Sequence, residues 1–328
     1  EMSVIHRYFS NESASGLIGF DIAQTLVSCR YQDRNCTKED FVPFYDFYYG
    51  MCYRFNSGYD RAGQPVPVLS SGQAGWLNGL QLELYAGSEL LQERYIVERG
   101  FRIVVFNQTN VYQVHQDFGI NVQTGQQANI GVNRQFTLRL PEPHSDCIST
   151  NVSEIDWSAN DVLQFMHTNF VEGNHFTAIY SQYVCVKLCF QKFLYDTCEC
   201  YDITLPKAQN LTGVYAEQAC ADISQIKCFQ NASLDFYDNR ELLNECYEKC
   251  PIECEQFSYD LTASFSTYPT RWYADVLAAN ADFNRVVNAF FDNASVPHIN
   301  YSGEYVQLRN SIARVNIFYE DLLYTEYI

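Results

Sequence analysis

Ten of the 13 cysteines lie between residues 147 and 254, and their spacing could support two kinds of chemistry. Cys185 and Cys189 are four residues apart, as are Cys246 and Cys250, which would place each pair on one face of a helix. Cys-x-Cys and Cys-x3-Cys spacings can bind zinc, whereas thiols in an oxidising compartment form disulfides. The ten are Cys147, Cys185, Cys189, Cys198, Cys200, Cys220, Cys228, Cys246, Cys250 and Cys254.

Glycosylation sequons favour disulfides over zinc. Eight Asn-x-Ser/Thr sequons occur in the chain, and single sequons arise by chance. Together with so many cysteines they indicate an extracellular context, in which disulfides persist. The predicted glycosylation sites are Asn11, Asn35, Asn107, Asn151, Asn210, Asn231, Asn293 and Asn300.

Spacing alone does not choose among the many possible pairings of ten cysteines. If the segment folds back on itself, the pairs nest, and each inner bond closes a short loop because the outer bond has already formed. Such a ladder predicts a stiff helical hairpin that could carry movement from one end to the other. The nested pairs are Cys147 with Cys254, Cys185 with Cys250, Cys189 with Cys246, Cys198 with Cys228, and Cys200 with Cys220.

Three cysteines lie outside this segment. Cys29 and Cys36 bracket a six-residue loop and are expected to pair. Cys52 is then left over, and a secreted protein rarely leaves a thiol unpaired. We therefore expect its partner in a part of the protein that is absent here, which makes the sequence a fragment of a longer chain.

The elements that must position these residues follow a mixed pattern. Apolar residues at helical spacing alternate along the chain with strand-like segments, which predicts an α+β fold. Residues 57–75 and 107–128 are expected to be loops. Helices are predicted at 14–29, 37–49, 162–170, 177–195, 234–249 and 270–292. Strands are predicted at 52–56, 80–85, 100–106, 135–140, 258–265 and 312–324, with one face of 80–85 buried.

Charge and apolar content exclude several classes of protein. The net charge of −18 disfavours nucleic acid and anionic membranes as partners and favours cations and basic ligands. No apolar stretch of 18 residues occurs, and no secretory signal opens the chain. His-Glu-x-x-His, Gly-x-Ser-x-Gly and phosphate-loop motifs are also absent, so we expect no enzyme.

Five stretches resemble, in order and separation, the extracellular domain of the degenerin, epithelial sodium channel and acid-sensing channel superfamily. The Tyr-Gly-x-Cys-Tyr motif and the cysteine ladder are the most specific, and the resemblance covers nearly the whole chain. The stretches are 49–56, 78–82, 140–147, the ladder with Cys198-Glu199-Cys200, and 312–327.

The resemblance implies a fold likened to a clenched hand, with a central β-sheet palm, a β-ball, finger and knuckle helices and a disulfide-stapled helical thumb. The implied parts are finger helices and a first palm strand at 1–56, palm and β-ball strands at 57–146, the cysteine-rich thumb at 147–254, a palm strand at 255–269, the knuckle helix at 270–298, and a palm strand leading to the second membrane helix at 299–328.

The resemblance also implies an assembly. It supports the nested pairing and gives Cys52 a partner just after a first membrane helix, upstream of Glu1. A homo- or heterotrimer of family subunits would surround a sodium pore at the plasma membrane, with this domain on the extracellular face. The pore and the site for amiloride-type blockers would belong to flanking membrane segments. No cofactor or metal is implied.

Acidic residues could form a ligand pocket. In acid-sensing relatives, carboxylates of thumb and finger face each other, and protonation lets the pocket close. By resemblance, Asp235 and Asp238 match the thumb side, and Glu89 and Glu93 lie in the finger region. The alternative is that they are ordinary solvated acids. A peptide-gated branch uses short amidated peptides, whose charge and aromatic rings suit an acidic, aromatic-rich cleft; another branch senses force.

One residue departs from the family pattern. Similar channels often carry a large aromatic residue in the Leu-Pro-x-Pro-x-x-x-Cys turn, packed against the first membrane helix. Here the residue is His144, which could make this coupling titratable, or could be a turn histidine without a special role.

A secreted, disulfide-rich binding module is the alternative from another class. Two apolar segments of about 20 residues in the parent chain, one on each side, would distinguish the channel from it.

Overall fold

The computed structural model describes residues 20–46, 49–87, 98–107, 119–167, 180–202, 219–220, 222–294 and 300–327. Its strands are β1 (Leu26–Tyr31), β2 (Arg34–Asn35), β3 (Phe41–Asp46), β4 (Gly50–Phe55), β5 (Leu80–Tyr85), β6 (Gly100–Val104), β7 (Gly119–Gln123), β8 (Gln126–Leu138), β9 (Glu255–Thr267) and β10 (Ile312–Tyr327). Its α-helices are α1 (Asp161–Met166), α2 (Gln182–Cys198), α3 (Ile223–Asp238), α4 (Arg240–Lys249), α5 (Arg271–Ala278), α6 (Ala281–Ala294) and α7 (Tyr305–Arg309).

A six-stranded sheet in the order β2-β1-β5-β10-β8-β9 forms the centre, and two hairpins, β3–β4 and β6–β7, lie outside it. β10 runs parallel to β8, and the other neighbours are antiparallel. The mixed architecture confirms the predicted α+β class. In the described part of the chain, no helix combines the length and apolar content needed to cross a membrane.

Strand β5, inside the central sheet, is buried on both faces. Leu80, Leu82 and Leu84 of β5 pack into a core on one face. Tyr85 points to the other face, where it joins a second core with residues of α5, α6 and α7. The prediction of a single buried face for this strand is therefore wrong, because the helices cover the second face.

The helices predicted at 14–29 and 37–49 do not form in the described residues of these ranges. Instead, the chain makes short 3-10 turns at Ile22–Gln24 and Lys38–Asp40, each followed by a strand. The finger helices expected in 1–56 are likewise missing from its described part. The capping box at Thr37 is confirmed: Thr37 Oγ1 accepts from Glu39 N, and Asp40 Oδ2 accepts from Thr37 N.

Other boundaries also differ from the predictions. Residues 119–123 form β7 and β8 begins at Gln126, so the expected loop at 107–128 is wrong over this part. Two of the predicted helices, 234–249 and 270–292, are each divided at an asparagine. Asn239 Oδ1 accepts from Glu241 N at 3.0 Å, and Asn280 Oδ1 accepts from Asp282 N at 2.7 Å, so each asparagine caps a new helix.

Candidate functional site: a cross-linked helical segment and its acidic face

The cysteine-rich segment, residues 147–254, leaves the sheet after β8 and returns through β9. Cys147 and Cys254 close its base with a disulfide, and their Cα atoms lie 4.9 Å apart. The Arg139 backbone N–H donates to the Cys254 carbonyl at 2.7 Å, and the Arg139 guanidinium donates to the Glu253 carbonyl at 2.8 Å. The base is thus fixed to the ends of two adjacent strands.

The disulfides follow the nested order. Cys189–Cys246 joins α2 to α4, Cys185–Cys250 joins α2 to the residue directly after α4, and Cys198–Cys228 joins α2 to α3. The remaining pairs are Cys147–Cys254, Cys200–Cys220 and, outside the segment, Cys29–Cys36. Because all ten cysteines of the segment form disulfides, they are not available as zinc thiolates.

The segment has its own apolar core. Cys185, Cys250 and Leu194 are completely buried there, together with Met166 of α1 and Phe236 of α3. The described parts of four helices and their disulfides therefore share one packed interior.

An ion-pair cluster closes one side of this interior. Asp161 of α1 accepts from Lys192 of α2 at 3.2 Å and from Lys249 of α4 at 3.1 Å. Lys249 also pairs with Glu245 at 2.8 Å. Burial raises the pKa of Asp161, but the two ammonium groups outweigh it and hold the pKa below its usual range. Asp161 thus links three helices over a cavity of about 130 Å³.

We expect Asp161→Asn to lower the free energy of unfolding by less than about 1 kcal/mol at neutral pH, since exposed ion pairs contribute little. Because the folded-state pKa is depressed, this stabilisation is present above the unfolded pKa of about 4 and is lost as the pH falls through the folded value. Melting curves at pH 7 and pH 3 check this: the difference from wild type should shrink at pH 3. Asp275→Asn, at an exposed helical site, is the control; an undiminished difference at pH 3 would contradict the ion-pair origin.

The last turns of α3 carry an exposed surface with both charge and apolar area. We call Leu234, Asp235, Tyr237 and Asp238 the acidic face. Both aspartates are exposed, and Leu234 and Tyr237 are 62 % and 44 % exposed. Residues three and four apart lie side by side on a helix, so the four form one continuous surface.

Tyr237 of the acidic face is held by α2. Lys187 Nζ donates to the Tyr237 hydroxyl at 3.2 Å and lies 5.4 Å from its ring centroid. Phe190 packs against the same ring at 5.3 Å. These contacts fix the orientation of the Tyr237 ring.

The other predicted site residues are dispersed. Glu89 and Glu93 lie outside the described residues. His144 is exposed in the turn after β8, where its backbone N–H donates to the Pro141 carbonyl at 3.1 Å. Asn35, Asn151, Asn231 and Asn300 are exposed and Asn107 is half-buried; Asn11, Asn210 and the side chain of Asn293 fall outside the described residues.

Cys52 lies in β4 opposite Phe44 and forms no disulfide, although all 13 cysteines are among the described residues. Burial, followed by the charge of Asp46, raises the pKa of its thiol to about 12. With this raised pKa, the thiol is protonated at neutral pH.

Sequence reasoning missed two groups: the Asp161 cluster and a buried carboxylate, Glu83. Glu83 stands between two leucines in a strand pattern, which signals an exposed face, and it is nevertheless only 7 % exposed. The tyrosine that ends this strand was the available signal, because Tyr85 indicated that the face opposite the leucines is also buried.

These features define a disulfide-bonded α+β domain with a cross-linked helical segment inserted between two adjacent strands. A family model described as amiloride-sensitive sodium channel matches residues 4–328. The chain belongs to the amiloride-sensitive sodium channel family, and the resemblance to the degenerin and epithelial sodium channel superfamily is confirmed. This family consists of ion channels, not enzymes.

Curated relatives agree with this assignment. The chain is 26% identical over 309 residues to epithelial sodium channel subunit gamma of Neoceratodus forsteri, covering 93% of the chain and 40% of that protein. It is 26% identical over 314 residues to subunit alpha of Xenopus laevis, covering 93% and 41%. It is 25% identical over 321 residues to degenerin-like protein unc-105 of Caenorhabditis elegans, covering 96% and 31%. The chain thus spans less than half of each relative.

Proposed function

We propose that this chain is the extracellular gating domain of a sodium channel subunit at the plasma membrane, opened by an extracellular ligand. The main support is the ladder of five nested disulfides, which makes the cysteine-rich segment one stiff body attached to β8 and β9. Since β8 is the parallel neighbour of β10, a displacement of the segment would reach β10 through the backbone pairing of the two strands, which is interrupted once between Tyr319 and Tyr324. By resemblance, β10 leads to the second membrane helix.

The whole channel would be a homo- or heterotrimer of family subunits that conducts sodium and is blocked by amiloride. Relatives named as alpha and gamma subunits are consistent with more than one kind of subunit. Flanking segments would supply the membrane helices, the pore and the partner of Cys52.

A short amidated peptide is the ligand class that the acidic face favours. Asp235 and Asp238 would attract its positive charge, while Leu234 and the oriented Tyr237 ring would pack against its aromatic side chain. Protons are the second candidate, through the same aspartates.

Whole-cell recording of the full-length parent tests this function. Acid steps and short amidated peptides carrying one basic and one aromatic residue are applied, each with and without amiloride. A sodium current evoked by peptide or acid and blocked by amiloride is expected. A current present without ligand would instead indicate a constitutive subunit, one evoked by membrane stretch would indicate a force-gated subunit, and the absence of any current would refute channel activity.

We expect Asp235→Asn combined with Asp238→Asn to raise the peptide concentration for half-maximal current about fivefold, since two exposed charges together contribute on the order of 1 kcal/mol. The size of the maximal current should stay the same. Asp275→Asn removes an exposed helical acid away from the acidic face and is expected to leave the response unchanged. Equal shifts in both variants would mean that general surface charge, not this face, attracts the peptide.

A further inference from the structure

Glu83 is a buried carboxylate at the end of the sheet farthest from the cysteine-rich segment. In β5 it lies directly opposite Ser28 of β1 and Arg314 of β10. Directly opposed residues project from the same face of a sheet, so the three form a row across three strands. Ser28 Oγ donates to Glu83 Oε2 at 2.8 Å. A buried carboxylate is costly unless hydrogen-bonded, so such a site persists only with its donors in place.

Two tyrosines complete the site. The Tyr268 hydroxyl donates to Glu83 Oε1 at 2.6 Å, and the Tyr273 hydroxyl donates to the same oxygen at 2.8 Å. Burial and then the charge of Glu83 raise the pKa of Tyr273 to about 12, and they raise that of Tyr268 further. Both hydroxyls therefore remain protonated donors across the physiological range.

The position of these tyrosines in the chain gives the cluster a mechanical role. Tyr268 directly follows β9, the strand that returns from the cysteine-rich segment, and Tyr273 lies in α5. β9 is thus held at both ends: at Cys254 by the base of the segment, and at Tyr268 by a carboxylate of β5. In the strand order, β10 and β8 lie between β5 and β9. The hydrogen bonds to Glu83 therefore connect the edge strand β9 to β5 across these two strands.

We propose that Glu83 is a positioning residue that holds the far end of β9, together with α5, against β5, so that movement of the segment turns β8, β9 and β10 about this point. Without the carboxylate, β9 slides at its far end and the displacement is lost before it reaches β10. The mechanical part of this proposal rests on the gating function proposed above; the attachment itself does not.

Hydrogen exchange of the full-length protein in detergent tests the attachment without any ligand. Glu83→Leu and Tyr273→Phe are expected to speed exchange of the β10 amides at 312–317 and of the α5 amides about tenfold, because local opening becomes easier. Glu83→Gln keeps an oxygen that can accept from both tyrosines and should stay within about twofold of wild type. Tyr305→Phe is the control: the Tyr305 hydroxyl donates to the Pro269 carbonyl at 3.1 Å, beside the same turn, without touching Glu83. Unchanged β10 exchange in Glu83→Leu would overturn the proposal.

Currents from the same variants test whether β8, β9 and β10 turn about the contact at Glu83. Glu83→Leu and Tyr273→Phe should each raise the acid or peptide concentration for half-maximal sodium current, and the double variant should be no worse than Glu83→Leu alone, because both act through one contact. Glu83→Gln should restore the wild-type response. Faster exchange with an unchanged activation curve would show that Glu83 has only a structural role, and it would overturn the proposed role of Glu83 in transmitting the movement. A wild-type channel that conducts sodium but ignores ligand would overturn the gating function, while the exchange result would still decide the attachment.

Discussion

Replacing Phe290 with alanine is expected to lower the free energy of unfolding by about 3–5 kcal/mol. The ring is completely buried between α6 and the sheet, with the Phe20 centroid at 4.7 Å and the Tyr85 centroid at 5.2 Å. Truncation removes the buried area, breaks both aromatic contacts and leaves a cavity that rigid neighbours fill only in part. The melting temperature should fall by roughly 5–15 °C.

Trp272 supplies the matched control for this change. It belongs to the same helical layer, in α5, but its side chain is 73 % exposed. Trp272→Ala should therefore change stability by no more than about 0.5 kcal/mol. Thermal unfolding of the purified protein, followed by near-ultraviolet circular dichroism at one scan rate, compares the two. Equal melting of Phe290→Ala and wild type would mean that α6 does not pack on the sheet.

Removing both central disulfides, Cys185–Cys250 and Cys189–Cys246, is expected to destabilise the protein by more than the sum of the two single removals. When one of the two bonds is removed, the other still joins the same segments, four residues away along each of them. The removed bond had therefore closed a loop of only about eight residues, and its loss lowers the free energy of unfolding by about 2–3 kcal/mol. When both are absent, the open loop between the remaining bonds grows to about 80 residues, which adds about 4–5 kcal/mol.

The same variants, made as cysteine-to-alanine pairs, report on gating. If the segment acts as a rigid body, each single removal should retain the ligand response, whereas the double removal should leave channels at the surface that no longer respond. Denaturant unfolding of the purified proteins gives the stabilities, and surface labelling gives the controls for expression. Strictly additive stability losses would contradict the ladder, and a normal response in the double variant would contradict its mechanical role.

Patterns of neighbouring residues in the sequence predicted the elements that depend mainly on those neighbours. Alternation identified β5 with the bounds that it has, and the Thr37 capping box was found because its partner lies three residues away. The nested cysteine order was also accessible, because a chain that folds back on itself brings its cysteines together in reverse order.

The helix predicted at 14–29 shows where this reasoning stops. The apolar positions Ile22 and Leu26 fit helical spacing, yet Leu26 pairs with Leu84 in the sheet. The Cys29–Cys36 disulfide also closes a hairpin with β2. A distant strand and a disulfide thus outweigh a modest local preference, and neither is encoded in the spacing of one segment.

The Glu83 cluster was hidden for a similar reason. Its donors, Ser28, Tyr268 and Tyr273, lie 55, 185 and 190 residues from Glu83 in sequence and meet it only when β1, β5 and α5 have assembled. The divided helices were more accessible from sequence, since Asn239 and Asn280 lie inside the predicted helices and asparagine is a preferred N-cap residue.

The 4.9 Å between the Cα atoms of Cys147 and Cys254 has a further consequence for how such proteins change over time. A segment of more than 100 residues begins and ends at almost the same point. The ends of β8 and β9, from which it extends, therefore keep the same separation whatever the length or shape of the segment. Insertions, deletions or the exchange of the entire segment between related subunits would leave the sheet intact. The segment is therefore a replaceable module, and grafting it onto a relative at this cysteine pair would need no redesign of the sheet.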